Sequence, residues 1–363
     1  MLCCCVLLLG GAGCAVGTGA QMAGAGELLP VSAFAGAASQ AALPPMTLPA
    51  AICPLTGLPL GAKGDVGVHS PRRPLAVMLD NVRVALPQRG VSDAAIVYEM
   101  VTESGITRLL AIYADYTKLP EVGPVRSARD AHVQMAIPLG AMLLHVGGST
   151  YASDLLEIYH YGDKSVNGYY ETGALQLDAD RNATVAIEHC WFTNGALFSG
   201  AAESYGLSTE LERPLPAFQF VPYAGAPRRL SGGMANRVDI RFSSYDSTSL
   251  AFNAATGLYE KEQFDAPQID ANTGKVLSFT NVLVLFADIG KYPDGVLAHV
   301  DLSGGTGYYL SGGRCEPVRW QKGLPEQPLC ILAPDGGAYV EINPGTTYVA
   351  VVGLDKYKYL KIQ

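Results

Sequence analysis

Charged residues are scarce in this sequence, since Asp, Glu, Lys and Arg make up 16% of its 363 residues, whereas 49% are hydrophobic. Such a chain can bury a large core, and its length predicts a globular body of about two domains of roughly 100 to 200 residues each. The formal net charge of −8 argues against nucleic-acid binding, which needs a basic surface that displaces counterions from phosphates. Any affinity for an anion must therefore come from local clusters of basic residues.

Several ligand-binding motifs are also missing. The chain has no Cys-x-x-Cys pair and no Walker-type phosphate loop, which argues against a structural zinc site and a nucleotide site of that kind. The acidic run at Asp178 and Asp180 lacks the Gly and the terminal Glu of a calcium loop. We therefore predict no cofactor and no metal ion.

Basic residues are absent before Lys63, and residues 2–9 are wholly apolar. That run resembles the hydrophobic region of a secretory signal without its usual basic start, and it is shorter than the ~20 residues that a membrane span needs. Cys14 follows small residues similar to a bacterial lipobox, with Gly11 where leucine is expected. We predict a signal peptide over residues 1–14 with lipid attachment at Cys14; an ordinary cleaved signal is the alternative.

Residues 15–52 are rich in Ala and Gly and nearly uncharged. This composition predicts a flexible tether, which at this length would span roughly 35 Å. The expected location is extracytoplasmic, with the folded body held by its lipid at the outer face of the cell membrane.

The exported body would keep four cysteines, Cys53, Cys190, Cys315 and Cys330. An oxidising compartment permits two disulfides among four cysteines, in three possible pairings. We expect Cys315 and Cys330 to lie close enough to pair, because each lies in a short strand segment and a Pro-containing turn separates them. Closing a loop of about 15 residues would stabilise the fold by roughly 3 kcal/mol.

The pattern of apolar residues changes along the chain. Residues 53–212 carry buried-strand runs and two helix patterns, which predict a mixed α/β domain. Four prolines mark residues 213–233 as a connector, and 234–363 hold short strand segments between Gly, Pro and Asp turns, typical of antiparallel sheet. The predicted fold class is therefore α+β, with an N-terminal α/β domain packed against a β-rich C-terminal domain.

Two arginines three residues apart, Arg126 and Arg129, lie where a helix over 128–137 is predicted to begin with Ser127 as its N-cap. Together with Arg108 they offer fixed positive charges whose planar forks match carboxylate or phosphate. The amides at the helix start would add to this affinity. The alternative is a salt-bridge network with acidic residues nearby, namely Asp80, Glu99, Glu103 or Asp130.

Other residues complete the candidate site. His145 is predicted to end a strand just before a glycine turn, a position where α/β sheets often bind ligands, so we expect it near the arginines. Ser149 with His145 or His189 and Asp180 is a weak candidate for a nucleophile, a base and an orienting acid. The predicted ligand-binding set is Arg108, Arg126, Arg129, His145, Ser149, Asp80, Arg181 and His189.

Strings in both halves resemble a known family. They are RPLAVMLDN (73–81), DAAIVYEMVTESGITRLLAIY (93–113), VGPVRSARD (122–130), LLHVGGS (143–149), NVLVLFADI (281–289), GTGYYLSGGRCEPVRW (305–320) and YVEINPGTTYVAVV (339–352). Over about residues 53–355 the chain is similar to the YerB-like bacterial lipoproteins. The resemblance implies an envelope location and a two-part architecture, but no chemistry, because the molecular function of that family is unknown.

The chain departs from the family pattern in two places. A Pro-His-Asn triplet is replaced by Glu188-His189-Cys190, and a Pro-His-Ile-Asp string by Pro267-Gln268-Ile269-Asp270. If those histidines had catalytic roles, at least the second would be lost here.

The sequence favours a non-enzymatic envelope lipoprotein whose arginine-lined cleft binds an anionic envelope ligand or a protein carboxylate. The alternative is an enzyme, a phosphotransferase or hydrolase, acting on a lipid-linked or cell-wall phosphate polymer. Its support is a fold-level analogy with proteins of the LytR-CpsA-Psr type, in which an arginine-containing segment also follows short strands. A metal requirement would separate the two, since phosphoryl transfer normally needs Mg²⁺.

Overall fold

The computed structural model of the chain describes residues 52–60, 72–169, 172–211 and 215–363. The predicted lipid site at Cys14 and nearly all of the predicted tether lie outside these residues. No helix within the described ranges is long and apolar enough to cross a membrane.

Strands dominate the fold. In chain order, β1 to β7 are Leu75–Asp80, Ile96–Val101, Thr107–Tyr113, Met142–His145, Ser165–Asn167, Gln176–Leu177 and Trp191–Phe192. Strands β8 to β15 are Arg237–Arg241, Ser247–Asn253, Leu258–Gln263, Ala266–Pro267, Ile269–Asp270, Lys275–Val276, Ser278–Phe279 and Asn281–Ala287. Strands β16 to β22 are Ile289–Lys291, Ala298–Val300, Gly304–Ser311, Arg314–Gln321, Cys330–Leu332, Thr347–Gly353 and Lys361–Ile362. The helices α1 to α4 are Asp130–Ala136, Thr150–Ile158, Ala179–Asn182 and Gly195–Ser204.

One ten-stranded sheet crosses both halves of the chain, in the order β20-β19-β18-β15-β21-β2-β3-β1-β4-β5. The halves meet where β2 pairs in parallel with β21, from Ile96 opposite Thr347 to Met100 opposite Val351. The predicted α+β class is confirmed, with an α/β N-terminal half and a β-rich C-terminal half. The described part of the predicted connector, residues 215–233, contains no helix and none of the strands β1 to β22.

Both faces of the long sheet are buried, which explains why its central strands are continuous apolar runs. On β1, Val77 and Leu79 belong to the core on one face, whereas Ala76 and Met78 belong to the core on the other. A second sheet, β11-β10-β9-β8-β22, contributes to the first core, and α1 contributes to the second. Asp80 follows Met78 by two residues and therefore shares the α1 face.

Two local expectations were wrong. Helix α1 begins at Asp130 rather than Ala128, and its N-cap residue is Arg129, not Ser127. Tertiary pairing decided these boundaries, since short apolar segments are compatible with several conformations.

The expected pairing of Cys315 with Cys330 is corrected by the structure, in which both are free thiols. Cys330 of β20 lies opposite Gln321 of β19, six residues along the strand from Cys315. At ~3.3 Å per residue the two cysteines are roughly 20 Å apart. The two strands are neighbours, as a disulfide would need, but their register excludes it.

Candidate functional site

The loop that carries Arg126 is held between two strand ends of the long sheet. The Arg126 amide donates to the carbonyl of Met78 in β1 at 2.9 Å, and the Arg126 carbonyl accepts from the Val146 amide, just after β4, at 3.0 Å. The loop is fixed from the other side at Gly123, where an added Cβ would lie 2.6 Å from the ring of Phe192. The side chain of Arg126 therefore leaves the backbone at a defined point at the carboxyl ends of β1 and β4.

Asp80, the last residue of β1, is the acidic partner of Arg126. Its Oδ2 atom lies 3.2 Å from Arg126 Nε and 2.7 Å from His189 Nδ1. Because a carboxylate only accepts, His189 donates to it. The Arg126 Nε–H is not aligned for a hydrogen bond with this oxygen, and Nη1 donates to the Glu188 carbonyl at 3.3 Å. Asp80 is 2% exposed, whereas the Arg126 side chain is 22% exposed, so solvent reaches part of the arginine side chain and hardly reaches the carboxylate.

Arg181 positions the turn that carries His189. Its Nε donates to the His189 carbonyl at 2.9 Å, and its Nη2 donates to the Val84 carbonyl at the same distance. Asp178 caps helix α3 by accepting from the Arg181 amide at 2.9 Å. Burial lowers the pKa of Arg181, which nevertheless stays charged at neutral pH. Arg181 thus supports the site through backbone carbonyls.

Arg108 and Arg129 share one carboxylate, that of Glu103. Arg108 Nη2 lies 3.0 Å from Glu103 Oε1, and Arg129 grips both oxygens, with Nε 2.8 Å from Oε2 and Nη2 on Oε1. Arg108 Nη1 also donates to the Ser127 carbonyl at 3.0 Å. Burial opposes the ionisation of Glu103, but the hydrogen bond from Arg129 and the charges of both arginines outweigh it and lower its pKa to about 2.

Arg108, Arg126 and Arg129, called here the arginine cluster, are electrostatically coupled. Arg108 lies directly opposite Asp80 in the β1–β3 pairing. Its pKa falls to about 10, first because it is buried and then because Arg129 and Arg126 repel its charge, although Glu103 and Asp80 oppose the change. Within the described chain these three arginines form ion pairs with only two carboxylates. The cluster therefore carries excess positive charge in an acidic protein.

The acidic partners were only partly predictable. Of the four acids expected near the arginines, Asp80 and Glu103 pair with them. Asp130 instead accepts from the Tyr292 hydroxyl at 2.8 Å, and Glu99 pairs with Lys261 at 3.1 Å. Strand alternation explains Glu99, because its side chain points to the opposite face of the sheet from that of its neighbour Met100.

His145 and Ser149 lie beside the Arg126 loop, but their polar atoms are used locally. His145 Nδ1 is 2.7 Å from the Gly147 carbonyl and Nε2 is 3.1 Å from Ser165 Oγ. Ser149 Oγ accepts from the Ala152 amide at 3.1 Å and caps helix α2. Burial lowers the pKa of His145. The predicted serine–histidine–aspartate arrangement is therefore not formed. Ser149 and His145 bond to other groups, and Asp180 is an exposed residue of α3.

The predicted contribution of helix amides to the site is also corrected. Helix α1 has seven residues and begins four residues after Arg126, so its first amides do not follow Arg126 directly. No group of three His, Cys, Asp or Glu side chains in the described parts of the chain is arranged to hold a metal ion.

Sequence reasoning missed a second polar cluster, which lies between the two sheets. Its charged members are Glu99, Lys261 and Asp246, and we call it the buried network. Lys261 and Glu99 have fully buried side chains, 3.1 Å apart, and the Tyr348 hydroxyl donates to Glu99 Oε2 at 2.7 Å. Asp246 Oδ2 accepts from the Thr107 amide at 3.1 Å.

The buried network also contains the position at which the family string has histidine. Gln268 Oε1 accepts from Lys261 Nζ at 2.6 Å, and its Nε2 donates to Asn81 Oδ1 at 3.1 Å and to Gln88 Oε1 at 2.8 Å. Gln268 is 1% exposed. In this chain that position therefore supports the contact between the sheets and does not face solvent.

Comparisons with known proteins agree with this architecture. Residues 55–208 match the family described as "Protein of unknown function (DUF3048) N-terminal domain", and residues 238–349 match its C-terminal domain. The chain is 28% identical over 305 residues to "Putative lipoprotein YerB" of Bacillus subtilis (strain 168), covering 82% of this chain and 85% of that protein.

A solved structure is also similar. The crystal structure of YerB protein from Bacillus subtilis superimposes with a TM-score of 0.71 at 25% identity, covering 86% of this chain and 99% of that one. Both matches cover more than four fifths of this chain and therefore extend over both of its halves. The chain belongs to the YerB-like lipoprotein family, the DUF3048 proteins, whose molecular function is unknown.

Proposed function

We propose that this protein is a lipoprotein anchored through Cys14 at the outer face of the cell membrane, and that its arginine cluster binds an anionic group of the cell envelope. The observation that carries the proposal is the excess charge: three guanidinium groups share the carboxylates of Asp80 and Glu103. A phosphate or carboxylate from solution would neutralise that excess.

Arg126 is the member of the cluster that is best placed to meet a ligand. Its side chain is the most exposed of the three, and its Nη2 takes part in no hydrogen bond with the described residues. Arg108 and Arg129 are held by Glu103 and backbone carbonyls. They would contribute mainly electrostatic attraction for the anion, whereas Arg126 would donate the bidentate hydrogen bonds to it.

Native mass spectrometry of the protein purified from its own envelope tests this function. We expect a retained anionic ligand on the wild type and a smaller retained fraction on Arg126→Lys, which keeps the charge but loses the bidentate fork. The matched control is Arg241→Lys, since Arg241 is an exposed arginine of β8 whose guanidinium group contacts, among the described residues, only a carbonyl, that of Ser243, and the ring of Tyr359. Equal retention by the wild type and Arg126→Lys, or no retained ligand, would contradict the proposal.

A further inference from the structure

A second arginine-lined site lies in the C-terminal half, apart from the arginine cluster. It is a cavity of about 760 Å³ between the loop 221–234 and the turns after β9 and β18. Its volume falls within the range of roughly 300 to 1,000 Å³ that is usual for sites of small organic ligands. We call it the C-terminal cavity.

The charge of this cavity is wholly positive. Its lining includes Arg228, Arg229 and Arg314, but no Asp, Glu or Lys. Arg228 is neutralised by Glu316, which it grips with both terminal nitrogens. Two of the three guanidinium groups remain without an acidic partner among the described residues.

Those two arginines differ in how they are held. Arg314 donates from Nε to the Leu230 carbonyl at 2.8 Å and from Nη2 to the Gly232 carbonyl, so it is fixed in place by neutral groups. Arg229 is exposed and makes no hydrogen bond or ion pair with the part of the chain that the structure describes. One rigid and one movable guanidinium thus line the same cavity.

The remaining walls of the cavity are largely apolar. Tyr223 and Met234 line it and are 50% and 55% exposed, which leaves apolar surface in contact with water. Leu58, Val221 and Leu230 extend the apolar wall. A cationic rim beside an apolar wall complements a ligand that joins an anion to a hydrocarbon chain.

The position of the cavity suggests where such a ligand comes from. Leu58 belongs to the first described segment, 52–60, which is bound to the body through the Ala217 amide and the Pro54 carbonyl at 2.9 Å. The predicted lipid site, Cys14, precedes Ile52 by 38 residues, which a flexible chain would span in roughly 35 Å. Given the anchoring in the proposed function, the cavity lies beside the point where the membrane tether enters the fold.

We propose that the C-terminal cavity binds an anionic glycerophospholipid of the membrane to which the protein is tethered. Its phosphate lies between Arg229 and Arg314, and the start of an acyl chain packs on Leu58, Tyr223 and Met234. Binding would orient the folded body on the membrane, which the tether alone cannot do.

Isothermal titration of the purified full chain with soluble probes tests the proposal. Dihexanoyl phosphatidylglycerol should bind at least tenfold more tightly than either dihexanoyl phosphatidylcholine or inorganic phosphate, because only the first has both net charge and acyl chains. Equal affinity for phosphatidylcholine or for inorganic phosphate, or no binding of phosphatidylglycerol, would overturn it.

A substitution at Arg229 tests whether phosphatidylglycerol binds in the C-terminal cavity. Arg229→Gln, at an exposed arginine, should keep the thermal midpoint and weaken phosphatidylglycerol binding at least fivefold, whereas the matched Arg241→Gln should bind like the wild type. Unchanged binding by Arg229→Gln would refute the assignment. The two proposals fail separately, since the proposed function is tested by the ligand retained on the wild type and on Arg126→Lys, whereas this one is tested by the phosphatidylglycerol affinities of Arg229→Gln and Arg241→Gln.

Discussion

The arginine cluster and the buried network are both groups of charges that do not balance, but they differ in access to solvent. The cluster has three positive groups for two carboxylates and is partly open. The buried network has two carboxyl groups, of Glu99 and Asp246, for one ammonium group, and the side chains of its Glu99–Lys261 pair are fully buried. A buried excess of negative charge can be neutralised only by a proton, whereas an excess of positive charge that is exposed to solvent can be neutralised by an anionic ligand.

The shifted pKa of Asp246 illustrates the first half of this contrast. Burial and the nearby negative charge of Glu99 raise its pKa from 3.8 to about 7, although Thr107 and Lys261 act in the opposite direction. The network therefore takes up a proton where the cluster would take up an anion.

The largest effect is expected from removing the single cation of the buried network. Lys261→Met would leave the buried carboxylate of Glu99 without its partner, and losing one member of a buried pair typically costs 3 to 5 kcal/mol, so we expect about that loss in the free energy of unfolding. Urea unfolding measures it, with Lys275→Met at an exposed lysine as control. A loss below about 1 kcal/mol would show that the network does not depend on this charge balance.

A smaller, pH-dependent effect should come from Asp246. Between pH 3.8 and about pH 7 the folded protein holds a proton that the unfolded chain has released, so this group's contribution to stability is full below that window and is lost as pH rises through it. Asp246→Asn cannot titrate, and its stability should therefore decline less than that of the wild type between pH 4 and pH 8. Parallel pH profiles for the two proteins would contradict the shifted pKa.

The sequence could predict the groups that are placed by local structure, but not those brought together by contacts between distant parts of the chain. Arg126, Arg108 and Asp80 could be placed at one sheet edge, because each adjoins a strand run or a glycine turn. The buried network could not, since it depends on β2 pairing with β21 and on the small sheet covering one face of the long one. No local pattern distinguishes Lys261, in an exposed-looking alternating strand, from a surface lysine.

The start of helix α1 and the register of β19 against β20 were predicted wrongly for the same reason. The cysteine prediction identified two neighbouring strands correctly in β19 and β20, yet missed their six-residue offset. The start of α1 was predicted from a capping residue, Ser127, whose carbonyl instead accepts a hydrogen bond from Arg108. In each case the long-range partner determined the outcome.

Within the arginine cluster, Arg108→Lys and Arg126→Lys are a matched pair. Arg108 is buried and bridges Glu103 and the Ser127 carbonyl, and lysine cannot reproduce both contacts, so we expect a loss of about 1 to 3 kcal/mol. Arg126→Lys keeps the positive charge beside Asp80 and loses only the 3.3 Å contact with the Glu188 carbonyl, so we expect a smaller loss, below about 1 kcal/mol. Urea unfolding of both variants checks the order, and the reverse order would make Arg126 the structural residue.

The smallest effect is expected at the cysteines of β19 and β20. Cys315 and Cys330 are free thiols, and the register of β19 and β20 keeps them apart. Mass spectrometry of protein that is unfolded in urea and treated with iodoacetamide should therefore find both cysteines alkylated. A peptide in which these two cysteines are linked would contradict the register of the strands.

The most direct test of the contrast between open and sealed charge is a titration of the wild type with inorganic pyrophosphate, followed by NMR of the arginine Nε–Hε groups. The signal of Arg126 should shift in a saturable way while that of Arg241 stays in place, and Arg126→Lys should bind about tenfold more weakly, which corresponds to ~1.4 kcal/mol. Equal affinity for Arg126→Lys, or equal shifts at Arg126 and Arg241, would mean that the open excess charge is no binding site.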